Sequence, residues 1–225
     1  MKTTYFGSLR RLFKQFCGGC IKKASGTKRQ ASYPINEVFL ERRSLYALSG
    51  KSLAHKQLMT LFEAAKWAPS EYNVQPWRFM YAHRDTPAWQ KLFDLLVPFN
   101  QAWAKDAAVL VVVVSKKTFD NGKPSATHSF VTGAAWMNFV LEATMRGIVA
   151  HGIAGFDYAQ ARNVCKVPED FAIEMMCVVG LPDHSGISEK ELIQRDATPS
   201  LRKPFEEFVA EGTFLFSESV GENQP

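Results

Sequence analysis

The sequence predicts an α/β or α+β sandwich, in which helices cover a sheet of buried strands. Residues 107–114 are apolar at every position, which indicates a strand with helices on both of its faces. Residues 53–67 carry apolar side chains at helical spacing, and a longer helical pattern runs over residues 127–146 and ends at Gly147. Because helices alternate with short apolar stretches along the chain, we expect layers of helices around the strands.

The remaining elements follow from similar signals. Asn36 is suited to cap a helix that reaches Arg42, and Thr86-Pro87 opens another that runs toward Leu96. Short apolar runs predict further strands at residues 77–82, 148–151 and 173–180, and prolines at 168 and 182 mark the connections.

The composition is that of a soluble globular protein, with 46% apolar and 22% charged residues among 225. No stretch approaches the roughly 18–20 apolar residues that a membrane-spanning helix needs. Residues 1–30 hold eight of the 27 basic residues and no acidic residue, whereas the rest of the chain holds 19 basic and 22 acidic residues. The folded body is therefore not expected to bind nucleic acid.

The basic residues define a predicted extension at residues 1–32, which precedes a folded domain at residues 33–216 and a tail at residues 217–225. Residues 5–16 have apolar side chains at helical spacing. Three interpretations remain open: a flexible tail, an amphipathic helix that binds a membrane surface or a partner, and a targeting segment. The apolar run that a twin-arginine signal requires does not follow Arg10-Arg11.

The four cysteines give a weak metal signal. Cys17 and Cys20 have CxxC spacing, but no second pair of ligands lies nearby, so a loop with two thiols is the alternative to a metal or redox motif. Cys165 and Cys177 lie in apolar surroundings that are typical of core cysteines. Four cysteines do not make a disulfide scaffold, so we expect a reducing, cytoplasmic location.

Three stretches have residue types suited to ligand binding. Arg42-Arg43-Ser44 offers planar guanidinium donors and a hydroxyl for phosphate oxygens, although a solvated charged helix end explains the same residues. The prolines in residues 68–79 fix the backbone around Ser70 and Asn73, as in a rigid binding loop or an ordinary helix-to-strand turn. The glycines of residues 150–157 allow close approach to a flat ligand.

In this order the stretches resemble the nitroreductase family of FMN enzymes, over about residues 34–214. The resemblance implies a nitroreductase-like α+β fold, with a mostly antiparallel central sheet flanked by helices, in an intertwined homodimer with two FMN sites at its interface. It depends on Arg42-Arg43-Ser44, the Pro-Ser-x-x-Asn-x-Gln-Pro-Trp segment at residues 69–77, the helix segment 133–138, Gly152-Ile-Ala-Gly-Phe-Asp157 and Arg202-Lys203-Pro204.

The resemblance also implies a role for each matching residue. Arg42 and Ser44 contact the FMN phosphate and ribityl chain with Arg43 beside them, and Arg202 reaches the same phosphate. Asn100 hydrogen-bonds the pyrimidine edge of the ring. The loop that one subunit contributes to the flavin of the other contains Pro69, Ser70 and Asn73, and the stretch along the isoalloxazine, with a backbone N–H toward flavin N5, contains Ile153, Ala154 and Gly155.

The implied activity is that of an FMN-dependent oxidoreductase. It takes hydride from NADH or NADPH and reduces nitroaromatics, quinones or related acceptors by a ping-pong mechanism. Hydride transfer at N5 requires no catalytic side chain and no metal. Two alternatives stay open: a reductive dehalogenase-like enzyme, and a flavin-binding or membrane-associated interaction protein that acts through its basic extension.

Two positions depart from the family pattern. Relatives often carry Lys or Arg where this chain has Tyr46, and a basic residue where it has Trp103, with Lys105 a candidate substitute. The departures bear on the redox potential of the flavin and on the choice of acceptor. His151 has two interpretations, a hydrogen bond to the flavin or substrate and a satisfied histidine at a strand end.

Overall fold

The computed structural model describes residues 29–183 and 190–216. The predictions for residues 5–16, for Cys17 and Cys20 and for residues 217–225 lie outside the described residues. The described part of the chain contains α1 (Val38–Glu41), α2 (His55–Lys66), a 3-10 turn (Glu71–Asn73), β1 (Trp77–His83), α3 (Pro87–Phe93), α4 (Pro98–Ala104), β2 (Val109–Lys116), α5 (His128–Met145), β3 (Val149–Ile153), α6 (Tyr158–Cys165), β4 (Phe171–Gly180), α7 (Lys190–Ala197) and a second 3-10 turn (Phe205–Glu207).

The strands form one antiparallel sheet in the order β1-β2-β4-β3. β2 pairs with β1 on one side and with β4 on the other, so it lies inside the sheet. The sheet and its flanking helices confirm the predicted α+β class and the antiparallel strand arrangement.

Both faces of β2 are buried, as its apolar sequence predicts. Every residue from Val109 to Ser115 is at most 2% exposed. Side chains alternate between the faces of a strand, so β2 contributes to two apolar layers. Leu110, Val112 and Val114 pack in the layer that contains α3 and α4, whereas the intervening valines pack with α2 and α5.

Three helices were not predicted from the sequence. α4 begins at Pro98, where a missing N–H costs nothing because the first turn has no intrahelical acceptor for it. α6 begins after Asp157, whose carboxylate accepts a hydrogen bond from the Gln160 N–H at 2.8 Å. Each of the three has only seven or eight residues, too few for periodicity to be clear.

Several element boundaries differ from the predicted ones. The strand predicted over residues 107–114 begins at Val109, because Ala107 belongs to the turn after α4 and donates to the Ala104 carbonyl at 3.0 Å. The helix predicted to run toward Leu96 ends at Phe93. Asn36 lies before α1, and its side chain accepts from the Val38 N–H at 3.0 Å.

The two described cysteines are free. Cys177 is buried in β4, and Cys165 is half-buried at the end of α6, as expected of core cysteines. Burial raises the pKa of both thiols. In the described ranges no helix is long and apolar enough to cross a membrane, and no group of three or more His, Cys, Asp or Glu is arranged to hold a metal ion.

Candidate functional site

Four arginines converge where α1 meets the C-terminal segment. Arg42 and Arg43 follow α1, Arg202 lies in the C-terminal segment, and Arg29 lies at the start of the described residues. Arg42 donates to the Ser44 hydroxyl at 3.1 Å, and Arg202 donates to the Ser200 hydroxyl at 3.0 Å. The sequence places Arg42, Arg43, Ser44 and Arg202 in one site, and the fold brings them to one region.

Arg29 is the residue of this cluster that sequence reasoning missed, since it was assigned to the extension. Its guanidinium donates to the Arg42 carbonyl at 2.6 Å and to the Ser200 hydroxyl at 2.8 Å. Arg29 therefore links the Arg42 segment to the Arg202 segment. Its Nε is buried and has no hydrogen-bond partner among the described residues.

The four guanidinium groups repel one another. Burial lowers the pKa of Arg29 and of Arg42, and the charge of Arg202 lowers both further. In residues 29–183 and 190–216, no carboxylate forms an ion pair with any of the four. Because clustered, partly buried cations without a paired carboxylate favour a compensating charge, the cluster is suited to an anion such as a phosphate.

Helix α7 is fixed against the segment that follows the arginines. The Asp196 carboxylate accepts from the Tyr46 N–H at 2.9 Å and from the Ala47 N–H at 2.8 Å. Arg43 donates to the Asp196 and Thr198 carbonyls. The Arg43 side chain thus also supports α7, a role that the sequence did not indicate.

Asn100 and Gly155, distant in sequence, are in direct contact. Asn100 Nδ2 donates to the Gly155 carbonyl at 2.9 Å, and Asn100 Oδ1 accepts from the Trp103 indole at 3.2 Å. The Asn100 amide keeps one further N–H and one further lone pair for a ligand. Ala154 is exposed, and the N–H groups of Ala154 and Gly155 donate to no described residue. Ile153 instead points into the core, at 4% exposure.

We expect the substitution Gly155→Ala to disturb this contact. A Cβ at position 155 would lie 2.6 Å from Asn100 Nδ2 and 3.1 Å from Val97 Cγ2. Asn100 must then move and lose its bond to residue 155, at a cost of about 1–3 kcal/mol of unfolding free energy. Urea denaturation measures this loss. The double variant Asn100→Ala/Gly155→Ala removes the closer overlap and should recover part of the stability; no recovery would show that the strain arises elsewhere.

An aromatic cluster joins the arginines to the Asn100–Gly155 contact. The Trp103 ring stacks on His151 at 4.7 Å, and Tyr46 meets both rings edge-on, at 4.9 Å and 4.7 Å. Tyr46 lies two residues beyond Ser44, and Trp103 bonds to Asn100, so the site is continuous. The two departures from the family pattern are therefore in contact with each other.

His151 is a satisfied histidine, the second of its two interpretations, but it lies in the middle of β3 and not at the strand end. Its Nδ1 lies 3.0 Å from the Leu45 carbonyl oxygen, which only accepts, so Nδ1 carries the proton. Burial lowers the pKa of His151, while the hydrogen bond to Leu45 and the charge of Asp196 oppose that effect. The charges of Arg195 and Arg42 lower the pKa further. The ring is neutral near pH 7.

The lowered pKa of His151 predicts a pH-dependent stability. The unfolded chain takes up the proton near pH 6.5, whereas the folded chain takes it up only at lower pH. This contribution to stability is complete above about pH 6.5 and is lost as the pH falls below it. Urea denaturation at pH 7.5 and 5.5 should show the decline, and His151→Gln should reduce it. An equal decline in the variant would assign the effect to other groups.

The loop at residues 69–75 lies apart from these contacts. Three of its non-glycine residues have positive φ: Tyr72 (49°), Asn73 (58°) and Gln75 (48°). The Ser70 hydroxyl accepts from the Gln75 N–H at 3.0 Å, and Glu71 accepts from the Thr127 hydroxyl at 2.7 Å. Pro69 and Asn73 are exposed, and within the described residues no hydrogen bond joins the loop to the arginines or to Asn100. Within one chain, Pro69, Ser70 and Asn73 are therefore not tied by hydrogen bonds to the other described residues of the site.

Fold and site together define an α+β protein with an antiparallel sheet and, in the segments outside that sheet, a cluster of arginines suited to an anionic ligand. A sequence profile of the nitroreductase family matches residues 40–96 and 86–181. The chain belongs to the nitroreductase family, a family of oxidoreductases.

Individual relatives agree. Protein DrgA of Synechocystis sp. is 27% identical over 147 residues, which cover 53% of this chain and 70% of DrgA. A protein of Rhodopseudomonas palustris, provisionally named NADH dehydrogenase/NAD(P)H nitroreductase, is 24% identical over 145 residues, 55% of this chain and 72% of that protein. A solved structure of an oxidoreductase containing FMN is 38% identical, with a TM-score of 0.79, over 84% of this chain and 97% of that one.

Proposed function

We propose that this protein is an FMN-dependent oxidoreductase that takes hydride from NADH or NADPH and passes it to nitroaromatics, quinones or related acceptors. The observation that carries the proposal is the cluster of Arg29, Arg42, Arg43 and Arg202, which has no ion-paired carboxylate in the described part of the chain. Support comes from the 38% identical relative, which contains FMN, and from the name of the Rhodopseudomonas relative, which includes NAD(P)H.

The residues fit the parts of FMN in order. The guanidinium groups of Arg42, Arg202 and Arg29 would hold the phosphate, which would supply the charge that the cluster lacks. Ser44 is exposed beside them and would contact the ribityl chain. Asn100 offers its unused N–H and lone pair to the pyrimidine edge of the ring.

Two backbone N–H groups without an acceptor in the described part of the chain lie at the other side of the proposed site for the flavin ring. The N–H groups of Ala154 and Gly155 have no acceptor among the described residues, so they are available to flavin N5. The chemistry that FMN would supply when bound is to accept a hydride and to release it to a second substrate. The chain's own residues then bind and orient the ring, and no side chain needs to act as a nucleophile or general base. The hydride donor and the hydride acceptor would bind in turn at the same face of the ring, which corresponds to a ping-pong cycle.

The site also requires a second copy of the chain. Pro69, Ser70 and Asn73 complete the site of the partner in an intertwined homodimer, since they lie apart from the other residues within one chain. The surface supports this, because large apolar side chains are exposed on α5 and on the C-terminal segment: Phe130 (82%), Met145 (52%), Phe208 (55%), Phe214 (78%) and Leu215 (73%). Sedimentation equilibrium tests the dimer, and a monomer at micromolar concentration would contradict it.

The function is tested by anaerobic reduction of the protein as purified. We expect yellow protein whose flavin absorbance is bleached by NADH or NADPH and restored by nitrofurazone or a quinone. Colourless protein that binds no added FMN would overturn the proposal. A halogenated phenol as acceptor tests the reductive dehalogenase alternative, which is favoured only if it turns over faster than the other two.

The role of the extension can be separated from that of the site by two truncations. Removal of residues 1–28 leaves Arg29 in place, whereas removal of residues 1–32 takes it away. We expect the shorter truncation to bind FMN like the full chain and the longer one to bind it about tenfold more weakly, since a hydrogen bond from a charged group contributes about 1.5 kcal/mol or more. Equal affinities would exclude Arg29 from the phosphate site.

The same truncations test the interaction-protein alternative. If residues 1–28 bind a membrane surface or a partner, their removal abolishes binding to anionic liposomes or to that partner while turnover remains. A cytoplasmic location is part of the proposal, supported by the free thiols of Cys165 and Cys177.

A further inference from the structure

Arg195, on helix α7, reaches across the aromatic cluster. Its guanidinium carbon lies 4.1 Å from the centre of the Tyr46 ring and 5.8 Å from the centre of the Phe99 ring. Tyr46 follows Ser44 by two residues, and Phe99 precedes Asn100. Arg195 therefore spans the proposed site between its ribityl end and its pyrimidine end.

The position of Arg195 is fixed by its neighbours. Asp196 holds α7 through the N–H groups of Tyr46 and Ala47, and Arg43 donates to the Asp196 carbonyl. A planar guanidinium also stacks on an aromatic face, to which its positive charge is attracted. The cation is thus held over Tyr46 by both backbone and ring contacts.

The charge of Arg195 is uncompensated within the described residues. It forms no ion pair there, and the carboxylate of the adjacent Asp196 accepts from two backbone N–H groups instead. Arg195 is exposed, so a ligand can reach it. Its charge acts on His151, which places it near the Trp103–His151 stack and hence near Asn100.

The rest of the aromatic cluster supplies no cation at this place. Tyr46 and Trp103 are uncharged, and His151 is neutral with Nδ1 protonated. Lys105, the candidate substitute named from the sequence, is exposed at the end of α4 and forms no hydrogen bond or ring contact with Tyr46, Trp103 or His151 among the described residues.

We propose that Arg195 is the cation that faces the pyrimidine edge of the bound flavin and stabilises its reduced form. The inference rests on the proposed function and assigns to α7 a role in setting the redox potential. Arg195 acts directly on the flavin through its charge, and it is distinct from the arginines that hold the phosphate.

The electron balance explains why a cation is needed there. A hydride brings two electrons and one proton from NADH or NADPH, which leaves as NAD⁺ or NADP⁺. The neutral oxidised ring therefore gains one negative charge, which is delocalised over the N1–C2 carbonyl edge. A fixed cation at that edge favours the reduced ring over the oxidised ring, and so it raises the midpoint potential.

The test is the midpoint potential of bound FMN, measured anaerobically by equilibration with a reference dye. In Arg195→Gln we expect the preference for reduced over oxidised FMN to fall about tenfold, which corresponds to a potential about 30 mV more negative for a two-electron couple. Arg195→Lys retains the charge and should recover most of the potential. Lys105→Gln removes an equal charge outside the cluster and should leave the potential unchanged.

The outcomes separate this inference from the proposed function. If the unmodified protein binds no FMN, the proposed function fails. If it binds FMN and Arg195→Gln has the same potential as the unmodified protein, or if Lys105→Gln gives the larger shift, the assignment of Arg195 is wrong. If Arg195 had only a structural role, Arg195→Gln would lower the affinity for oxidised FMN and the melting temperature. In that case Arg195→Lys would not restore the midpoint potential.

Discussion

The substitution Arg42→Ala is expected to weaken FMN binding by about 10- to 100-fold. Hydrogen bonds to charged groups contribute about 1.5–3 kcal/mol each, and every 1.4 kcal/mol corresponds to a tenfold change in affinity. Arg42 is half-buried and donates to the Ser44 hydroxyl, so its guanidinium is held in place before FMN binds. Titration of the apoprotein with FMN, followed by quenching of flavin fluorescence, measures the loss.

The stability of the apoprotein should respond differently. Arg42 is repelled by the charge of Arg202, as the lowered pKa of Arg42 indicates. Its removal relieves that repulsion, so the melting temperature without FMN should stay the same or rise. Arg146→Ala is a matched control, because it removes an arginine that is paired with Glu142 on α5. FMN affinity within threefold of the unmodified protein for Arg42→Ala would place the phosphate elsewhere.

The substitution Trp103→Ala is expected to destabilise the protein by about 3–5 kcal/mol, the usual cost of removing a buried tryptophan side chain. Trp103 is 3% exposed, stacks on His151 and holds Asn100 through its indole N–H. Removing the ring leaves a cavity and an unpaired Asn100 oxygen at once. Urea denaturation of the apoprotein at 25 °C measures the free energy of unfolding.

Trp103→Phe separates the two causes. Phenylalanine retains much of the ring packing but has no N–H for Asn100, so its cost should be near the 1–3 kcal/mol of an unsatisfied buried group. The FMN affinity of Trp103→Phe then reports on Asn100 alone. Equal costs for the two variants would show that packing on His151 contributes little, and a cost below 1 kcal/mol for Trp103→Ala would contradict the observed burial.

The sequence predicted the layers of the fold because they depend on periodicity. The unbroken apolar run of β2 requires cover on both faces, and the long pattern of α5 is repeated over five turns. The short helices α4, α6 and α7 lack such repetition. Their starts depend on single residues, Pro98 and Asp157 for the first two, and such signals also occur in turns.

The sequence indicated candidate site residues where several of them are neighbours along the chain. Arg42, Arg43 and Ser44 form a recognisable group, and the motif order links them to Asn100 and Arg202. Arg29 was missed because the contact with Arg42 joins residues 13 positions apart in a segment without periodicity. The role of Arg195 depends on how α7 packs on Tyr46, about 150 residues away, and no local pattern encodes that distance.

Arg29 directly follows the first 28 residues and contacts both Arg42 and Ser200, so a ligand of those 28 residues could act on the FMN site through Arg29. A ligand of residues 1–28 that pulls Arg29 away from Arg42 and Ser200 would lower the affinity for FMN. By thermodynamic reciprocity, FMN then lowers the affinity for that ligand by the same factor. The fraction of the protein that holds FMN and the fraction that is bound to such a ligand would therefore depend on each other.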